Sequence, residues 1–257
     1  MKYAQLSMLC AVVLATAGCA DTKTDRPVTT KTSEGQSVAP PGETAARRDK
    51  ALVRLVNALP TARAVSMRAD TTSVFSAVPY KKVTPYRELD DKGARFALFS
   101  ESQRAGARPL ADNREMLRDG QRYTVVALPE ENGTGARLRV LQDEFVEEQG
   151  KAHVRVIHAA PGVGEIDVMA AGGTEPMVEG LNFGNEASYK STTPVEAGTL
   201  EIRRQNGKRR LLTLRDVNFA AGKSYTIVIT GGATRKLEVI TFEDSMEIQP
   251  SDVSVTR

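Results

Sequence analysis

Short runs in which apolar and polar positions alternate make up most of the chain. A period of two along the sequence predicts β-strands that bury one face. The clearest runs lie in the C-terminal half and are separated by turns that contain glycine. Their apolar positions are Leu200, Ile202, Leu212, Leu214, Tyr225, Ile227, Ile229, Leu237 and Val239. We therefore expect an all-β protein.

The chain contains the same pattern twice. The segment VRLVNALPT begins at Val53 and VRVIHAAPG begins at Val154, and GQRYTVVAL from Gly120 returns as GKSYTIVIT from Gly222. These matches predict two repeats of roughly 95 residues each, a normal size for one domain. The predicted boundaries are residues 51–145 for the first repeat, 146–151 for a linker, 152–246 for the second repeat and 247–257 for a C-terminal tail.

Turn signals divide each repeat into about seven short strands, the number in the smallest immunoglobulin-like sandwiches. The sharpest signal is Asn206-Gly207, because a two-residue hairpin loop of the favoured type needs positive φ at both positions and Asn-Gly tolerates this best. Strands this short favour a β-sandwich over a parallel sheet with crossover helices. The predicted fold is two tandem immunoglobulin-like antiparallel β-sandwich domains after a disordered tether.

The order of the motifs resembles a known family. The segments VRVIHAAPG, EIDVMAAGG, LNFGNEASY, VEAGTLEIRR and FAAGKSYTIVITG follow one another in the second repeat. In this order they resemble the domain of unknown function family 4397. The first repeat is similar but more diverged, with Asn57 where the second repeat has His158. The resemblance implies β-sandwiches in exported or surface proteins, often in tandem, with no established activity.

The N-terminus predicts export. Lys2 precedes an apolar run that is too short to span a bilayer, so residues 1–18 are interpreted as a signal peptide. The run ends at Cys19 in a sequence that resembles the lipobox of bacterial lipoproteins, which implies lipidation of Cys19. Ordinary secretion without lipidation is the alternative. Ala20 after the cysteine favours the outer membrane over the inner membrane.

Residues 19–50 are predicted to form a tether. They are rich in Thr, Ser, Pro, Gly and charge and contain hardly any large apolar side chain, so nothing in them can offset the entropy of ordering. Cys10 lies inside the predicted signal peptide, which leaves the mature chain without a second thiol for a disulfide. The folded repeats are therefore expected to depend on their apolar cores.

The turn after the first strand of each repeat carries the candidate motif Asn57, Pro60, His158 and Pro161. The unperturbed pKa of a histidine suits acid–base chemistry, but Asp167 is the only plausible partner that the sequence offers for His158. Asparagine and histidine can both stabilise turns through hydrogen bonds. We therefore favour a structural role for this motif over a catalytic one.

Cofactor and metal sites are not expected. The two histidines of the chain, His153 and His158, are predicted on opposite faces of one strand, and there is no cysteine cluster, so zinc would lack a ligand set. The sequence also lacks a phosphate-binding glycine loop, a dinucleotide fingerprint and a nucleophile elbow. No catalytic residues are predicted.

A compact basic cluster is predicted at one hairpin tip. Its members are Arg203, Arg204, Lys208, Arg209 and Arg210. In an envelope protein such a cluster could attract lipid head groups, lipopolysaccharide phosphates or acidic polysaccharide, and salt would weaken the attraction. The alternative is a hairpin kept soluble by its charge. Nucleic acid is not expected as a partner, because export removes the protein from the compartment that holds nucleic acid. In addition, no aromatic residues alternate with the cations to stack on bases.

Three functions are compatible with these patterns. The first is a non-enzymatic, lipid-anchored envelope protein that binds a polysaccharide, lipopolysaccharide or protein partner. The second is a carbohydrate- or polymer-active enzyme, which would require two carboxylates that converge in a cleft. The third is a passive spacer, which would lack a large apolar or basic binding surface. We favour the first.

Overall fold

The structure is a computed structural model that describes residues 50–90, 93–104, 106–145, 148–205, 209–232 and 235–244. The predicted signal peptide, Cys19 and the C-terminal tail lie outside these residues. Every regular element in the described part is a β-strand. That part contains no helix of the length and apolarity that crossing a membrane requires.

Each repeat contributes eight strands. Those of the first repeat are β1 Ala51–Asn57, β2 Ala64–Ala69, β3 Thr72–Pro79, β4 Arg87–Leu89, β5 Gly93–Ser100, β6 Ala111–Met116, β7 Arg122–Leu128 and β8 Arg137–Gln142. Those of the second repeat are β9 Ala152–His158, β10 Ile166–Ala170, β11 Val178–Leu181, β12 Glu186–Thr192, β13 Val195–Arg204, β14 Arg210–Phe219, β15 Ser224–Gly232 and β16 Arg235–Glu243.

The strands form four sheets of four strands. In the first repeat, β4-β1-β7-β8 is termed the first inner sheet and β3-β2-β5-β6 the first outer sheet. In the second repeat, β12-β9-β15-β16 is the second inner sheet and β11-β10-β13-β14 the second outer sheet. Neighbouring strands are antiparallel except for β1 with β7 and β9 with β15, which are parallel. The predicted pair of tandem β-sandwiches is confirmed.

Each sandwich has its own apolar core between its inner and outer sheet. Val53 and Leu55 of β1 pack in the same core as Val65 and Met67 of β2. The second repeat repeats this arrangement with the corresponding strands β9 and β10. The period of two that was read from the sequence therefore selects the residues that face each core.

A third apolar cluster lies where the two inner sheets meet, a contact that we term the seam. Val56, Val126 and Leu128 of the first repeat pack there against Ile157 and Val228 of the second. Both faces of the inner sheets are consequently covered, which explains why β1, β9 and β15 are buried along their whole length. The result is four layers in the order outer, inner, inner, outer.

Candidate functional site

The predicted basic hairpin joins β13 to β14, and two of its cations bind a carboxylate of their own sheet. Arg203 donates from Nε and Nη2 to Glu201 Oε2 at 3.0 and 2.6 Å. Arg210 Nη1 donates to Glu201 Oε1 at 3.0 Å. The hydrogen bonds from Arg203 and Arg210 hold the pKa of the Glu201 carboxyl below its ordinary value. Arg203 and Arg210 are therefore engaged within the protein.

The remaining described cations of the hairpin are Arg204 and Arg209, which are both exposed. The backbone N–H of Arg204 donates to the carbonyl of Arg209 at 3.4 Å. Neither side chain forms an ion pair with a residue in the described ranges. Lys208 lies outside those ranges. The described part of the hairpin therefore offers two arginines to an anionic partner.

His158 is fully buried and bridges the turn that follows β9. Its Nε2 lies 2.9 Å from the carbonyl oxygen of Gly164, and its Nδ1 accepts from the backbone N–H of Ala160 at 3.3 Å. The ring meets Phe183 edge to face, with centroids 5.9 Å apart. Burial lowers the pKa of His158 and outweighs the raising effect of the hydrogen bond to Gly164. The imidazole thus links backbone groups of one turn.

Asn57 makes one of the same contacts in the first repeat, the bond from the backbone N–H two residues further on. Its side-chain Nδ2 donates to the carbonyl of Val78 at 3.0 Å, and its Oδ1 accepts from the backbone N–H of Leu59 at 3.1 Å. Pro60 and Pro161 lie in the turns that follow the two residues. Asparagine and histidine therefore both bind the backbone of the turn after the first strand, but Asn57 links that turn to β3 whereas His158 links two groups within it.

Two buried arginines cross the seam, a feature that the sequence interpretation missed. Arg54 on β1 donates from Nε to Thr124 Oγ1 at 2.8 Å and from Nη2 to Asp244 Oδ1 of the second repeat. Asp244 Oδ2 also accepts from Thr226 Oγ1 at 2.8 Å and from the Tyr189 hydroxyl at 3.0 Å. The first repeat's arginine is thus neutralised by the second repeat's acid.

The reciprocal contacts complete the arrangement. Arg155 on β9 donates from Nη2 to Asp143 Oδ1 of the first repeat at 2.8 Å and from Nε to Thr226 Oγ1 at 3.2 Å. Asp143 Oδ2 accepts from the Tyr86 hydroxyl at 2.6 Å and from Thr124 Oγ1 at 2.7 Å. Each repeat therefore supplies a carboxylate to the arginine of the other, and Arg54 also pairs with Asp143 of its own repeat at 3.7 Å. The seam network consists of Arg54, Tyr86, Thr124, Asp143, Arg155, Tyr189, Thr226 and Asp244.

The seam network is almost closed to solvent. The side chains of Asp143 and Asp244 have no exposed surface, and those of Arg54 and Arg155 are 4% and 3% exposed. Burial by itself would lower the pKa of both arginines, but the two carboxylates raise it above the ordinary value. Two acids do converge inside the protein, and both are bound to arginine.

Polar contacts continue at the edge of the seam. The Tyr80 hydroxyl and Lys81 Nζ donate to the carboxylate of Glu238 at 2.8 and 2.7 Å. Arg139 Nη2 donates to Glu186 Oε2 at 3.0 Å. These contacts also join the first repeat to the second. The seam thus combines an apolar cluster, a buried ionic network and bonds at its rim.

Comparisons with known proteins agree with the doubled architecture. The sequence profile of the family described as Domain of unknown function (DUF4397) matches residues 51–169 and again residues 152–256. The chain belongs to this family. The two matches reproduce the tandem resemblance that was predicted from the motif order. No match was found among curated protein sequences.

Solved structures give distant likenesses to the DUF4397 tandem. The C-terminal domain of AlgF from P. aeruginosa is 21% identical, with a TM-score of 0.31, and the match covers 37% of this chain and 99% of that domain. A family CBM26 module of Eubacterium rectale Amy13K, solved in complex with maltoheptaose, is 11% identical with a TM-score of 0.23. That match covers 76% of this chain and 97% of the module.

The second DUF4397 repeat also places a serine, a histidine and a carboxylate together. Ser191 Oγ donates to Glu148 Oε2 at 2.7 Å and lies 3.1 Å from His153 Nε2. Glu148 Oε2 lies 3.5 Å from the same nitrogen, while His153 Nδ1 is buried without a hydrogen-bond partner. A nucleophilic relay needs the carboxylate and the serine on opposite ring nitrogens, whereas here both groups lie next to Nε2.

The described residues contain no group of three or more potential metal ligands.

Proposed function

We propose that the protein is a non-catalytic binding protein of the bacterial cell envelope, in which two DUF4397 repeats act as one rigid body. The seam network is the observation that supports this proposal. If the repeats separated, the apolar cluster of the seam would be exposed to water and the ion pairs Arg54–Asp244 and Arg155–Asp143 would be broken. The outer sheets and their loops therefore keep fixed relative positions, as a recognition surface requires.

The predicted N-terminal segments indicate where in the cell the protein resides. A signal peptide over residues 1–18 exports the chain, lipid on Cys19 anchors it, and residues 19–50 tether the repeats. A flexible tether of this length spans about 30 Å, which lifts the repeats away from the membrane. Ala20 favours the outer membrane. Two or three acyl chains on one cysteine make such an anchor stable.

The proposed partner is an anionic component of the envelope, either an acidic polysaccharide or phosphate groups of lipopolysaccharide or lipid. The formal net charge of the chain is +3. Arg204 and Arg209 are exposed at the hairpin tip with no acidic partner in the described ranges. A field from such cations attracts anions and is screened by salt.

Metabolic labelling tests the anchor. Cells that express the chain are given labelled palmitate, and the wild type is compared with Cys19→Ala. We expect label and membrane attachment in the wild type and neither in the variant, whose processing is also blocked. Label that persists in Cys19→Ala, or a wild type released into the soluble periplasmic fraction, would contradict the anchor.

Cosedimentation tests the binding role. The lipidated full chain in neutral detergent is mixed with purified acidic envelope polysaccharide over a salt series. We expect binding at low salt that weakens as the Debye length falls from roughly 30 Å to 10 Å. If the protein binds no anionic envelope component even at low salt, the binding function is refuted.

A further inference from the structure

A polar cavity of about 350 Å³ lies on the outer face of the first outer sheet. Strands β2, β3 and β5 form its floor, and the segment after β5 forms its wall. The side chains that matter to its chemistry are Arg68, Ser73, Ser76, Phe99, Gln103 and Arg104. The cavity faces away from the seam, so it remains open while the two repeats are packed together.

Hydrogen bonds of specific side chains build the wall of this cavity. Gln103 Oε1 accepts from the backbone N–H of Ser100 at 2.9 Å, and Gln103 Nε2 donates to the carbonyl of Arg108 at 3.1 Å. One side chain therefore closes the loop after β5. This holds the adjacent Arg104 at the rim of the cavity.

A bulge in β3 shapes the opposite side. Ala77 adopts a φ of 51°, a left-handed conformation that costs a residue with a Cβ on the order of 1 kcal/mol or more. Ser66 Oγ on the neighbouring strand accepts from the Ala77 backbone N–H at 2.9 Å and stabilises the bulge. Ser73 and Ser76 line the cavity with hydroxyls 3.3 Å apart.

Two arginines and one carboxylate line the cavity, and no ion pair joins these three described residues. The guanidinium of Arg68 stacks on the ring of Phe99, with Cζ 4.9 Å from the ring centroid. The one carboxylate in the lining, Glu101, accepts a hydrogen bond from the Ser66 hydroxyl. Within the described ranges, neither Arg68 nor Arg104 forms an ion pair or donates a side-chain hydrogen bond. Stacking fixes the plane of Arg68, and its N–H groups remain free.

The second repeat provides an internal comparison. The pairing of β10 with β13 places Arg203 where the first repeat has Phe99, and Glu201 where it has Ala97. Arg203 is bound to Glu201, as described above. The second outer sheet thus neutralises its arginine within the sheet. In the first outer sheet the position of that acid is Ala97, which pairs with Arg68 across β2 and β5. Arg68 therefore has no acid beside it at this position and is available to a ligand.

We propose that this cavity binds the oxyanion, carboxylate or phosphate, of an acidic saccharide. A planar guanidinium that is held in place binds either oxyanion through two parallel hydrogen bonds. The serine hydroxyls and the Arg104 guanidinium provide further donors for the anion and for sugar hydroxyls. This assignment rests on the proposed anionic envelope ligand and specifies its site, which is the first outer sheet and not the basic hairpin.

Calorimetric titration of the lipidated full chain in neutral detergent tests the assignment. The probes are an oligogalacturonate, glucose 6-phosphate and glucose. The variants are Arg68→Gln and Arg68→Lys, with Arg114→Gln as a control that removes an exposed cation from β6 of the same sheet. Arg204→Gln combined with Arg209→Gln removes the free cations of the hairpin.

We expect one or both anionic probes to bind and glucose not to bind. Arg68→Gln should weaken binding about ten-fold or more, which is the usual effect of losing hydrogen bonds to a charged group. Arg68→Lys should also weaken it, since lysine lacks the planar fork. Arg114→Gln should bind as the wild type does. Preference for the uronate or for the sugar phosphate identifies the oxyanion.

Two results would overturn the assignment, and they separate the site from the function. If the wild type binds an anionic probe, Arg68→Gln is unchanged and the hairpin variant loses binding, the envelope function stands and the site is wrong. If the wild type binds neither anionic probe nor acidic polysaccharide, both proposals fail. Equal thermal unfolding of Arg68→Gln and the wild type shows that lost binding is not lost folding.

Discussion

Asp244→Ala is the substitution that most directly tests whether the two repeats form one body. Asp244 directly follows β16 and accepts hydrogen bonds from Arg54, Thr226 and Tyr189. Alanine would leave the arginine of the first repeat buried without its nearest carboxylate. The nearest remaining acid is Asp143, whose Oδ2 lies 3.7 Å from Arg54 Nη2.

The expected loss in the free energy of unfolding follows from the burial of the ion pair. Removing one partner of a buried ion pair costs roughly 3–5 kcal/mol, because the other charge stays desolvated. Since Arg54 keeps Asp143 at 3.7 Å, we expect the lower end of this range, about 3 kcal/mol. With a urea m-value of about 2–3 kcal/mol per M for a protein of this size, the unfolding midpoint should fall by about 1–1.5 M. Asp143→Ala should have a similar effect, because it removes the counter-charge of Arg155 in the same way.

Urea unfolding followed by circular dichroism is a suitable assay. Far-ultraviolet signal reports the strands of both repeats. The chain has six tyrosines and no tryptophan. Tyr86 and Tyr189 belong to the seam network and Tyr123 and Tyr225 to the two cores, so near-ultraviolet signal reports the packing of the seam and of both cores. A single body predicts that the two signals of the wild type change together in one transition.

An exposed ion pair provides the matched control. On the first outer sheet, Arg95 Nη2 lies 2.9 Å from Asp112 Oδ2, and the two side chains are 54% and 45% exposed. Asp112→Ala should cost less than about 1 kcal/mol, as exposed pairs usually do. The reasoning is refuted if Asp244→Ala shifts the midpoint no more than Asp112→Ala. Two separate wild-type transitions, one for each repeat, would equally contradict a single body.

Two further predictions concern His158 and Glu201. Because burial lowers the pKa of His158, the unfolded chain binds more protons than the folded chain below about pH 6.5, and stability should be lost as the pH falls through this range. The urea midpoint of His158→Asn should depend less on pH between 7.5 and 5 than that of the wild type, and an unchanged slope would contradict this role. Glu201→Gln should release Arg203 and Arg210 and strengthen binding to anionic lipid vesicles about five-fold, the usual effect of one added cation near such a surface. Glu175→Gln makes the same charge change at an exposed position of the second repeat and should not reproduce the full increase; equal increases in the two variants would show that only net charge matters.

Much of the fold could be predicted because strand signals are local. Leu200 and Ile202 alternate with polar neighbours, and the structure places both in the core of the second sandwich. The repeat in the sequence likewise predicted two similar domains. Each repeat has eight described strands where about seven were predicted, because β4 and β11 have only three and four residues and their alternation is too brief to recognise.

The candidate sites were harder to predict because they depend on partners distant in the chain. Arg203 and Arg210 looked like free cations at a hairpin, but Glu201 on the same sheet binds both. Conversely, Arg68 stands alone in an ordinary strand, and its availability becomes visible only when Phe99 and the loop after β5 are in place. Charge in the sequence does not reveal which charges remain unpaired.

The sequence by itself determined two β-sandwiches, since a period of two specifies which side chains each strand buries in its own core. It also contained one unused signal: an arginine in the middle of an apolar strand at the same position of both repeats, Arg54 and Arg155. Only the tertiary structure decided what these arginines do. Arg54 and Asp244 are 190 positions apart along the chain, and a pairing across two packed sheets has no local periodicity. A buried charge requires a counter-charge because it is desolvated, but only the packing of the inner sheets brings Asp244 to Arg54 and Asp143 to Arg155.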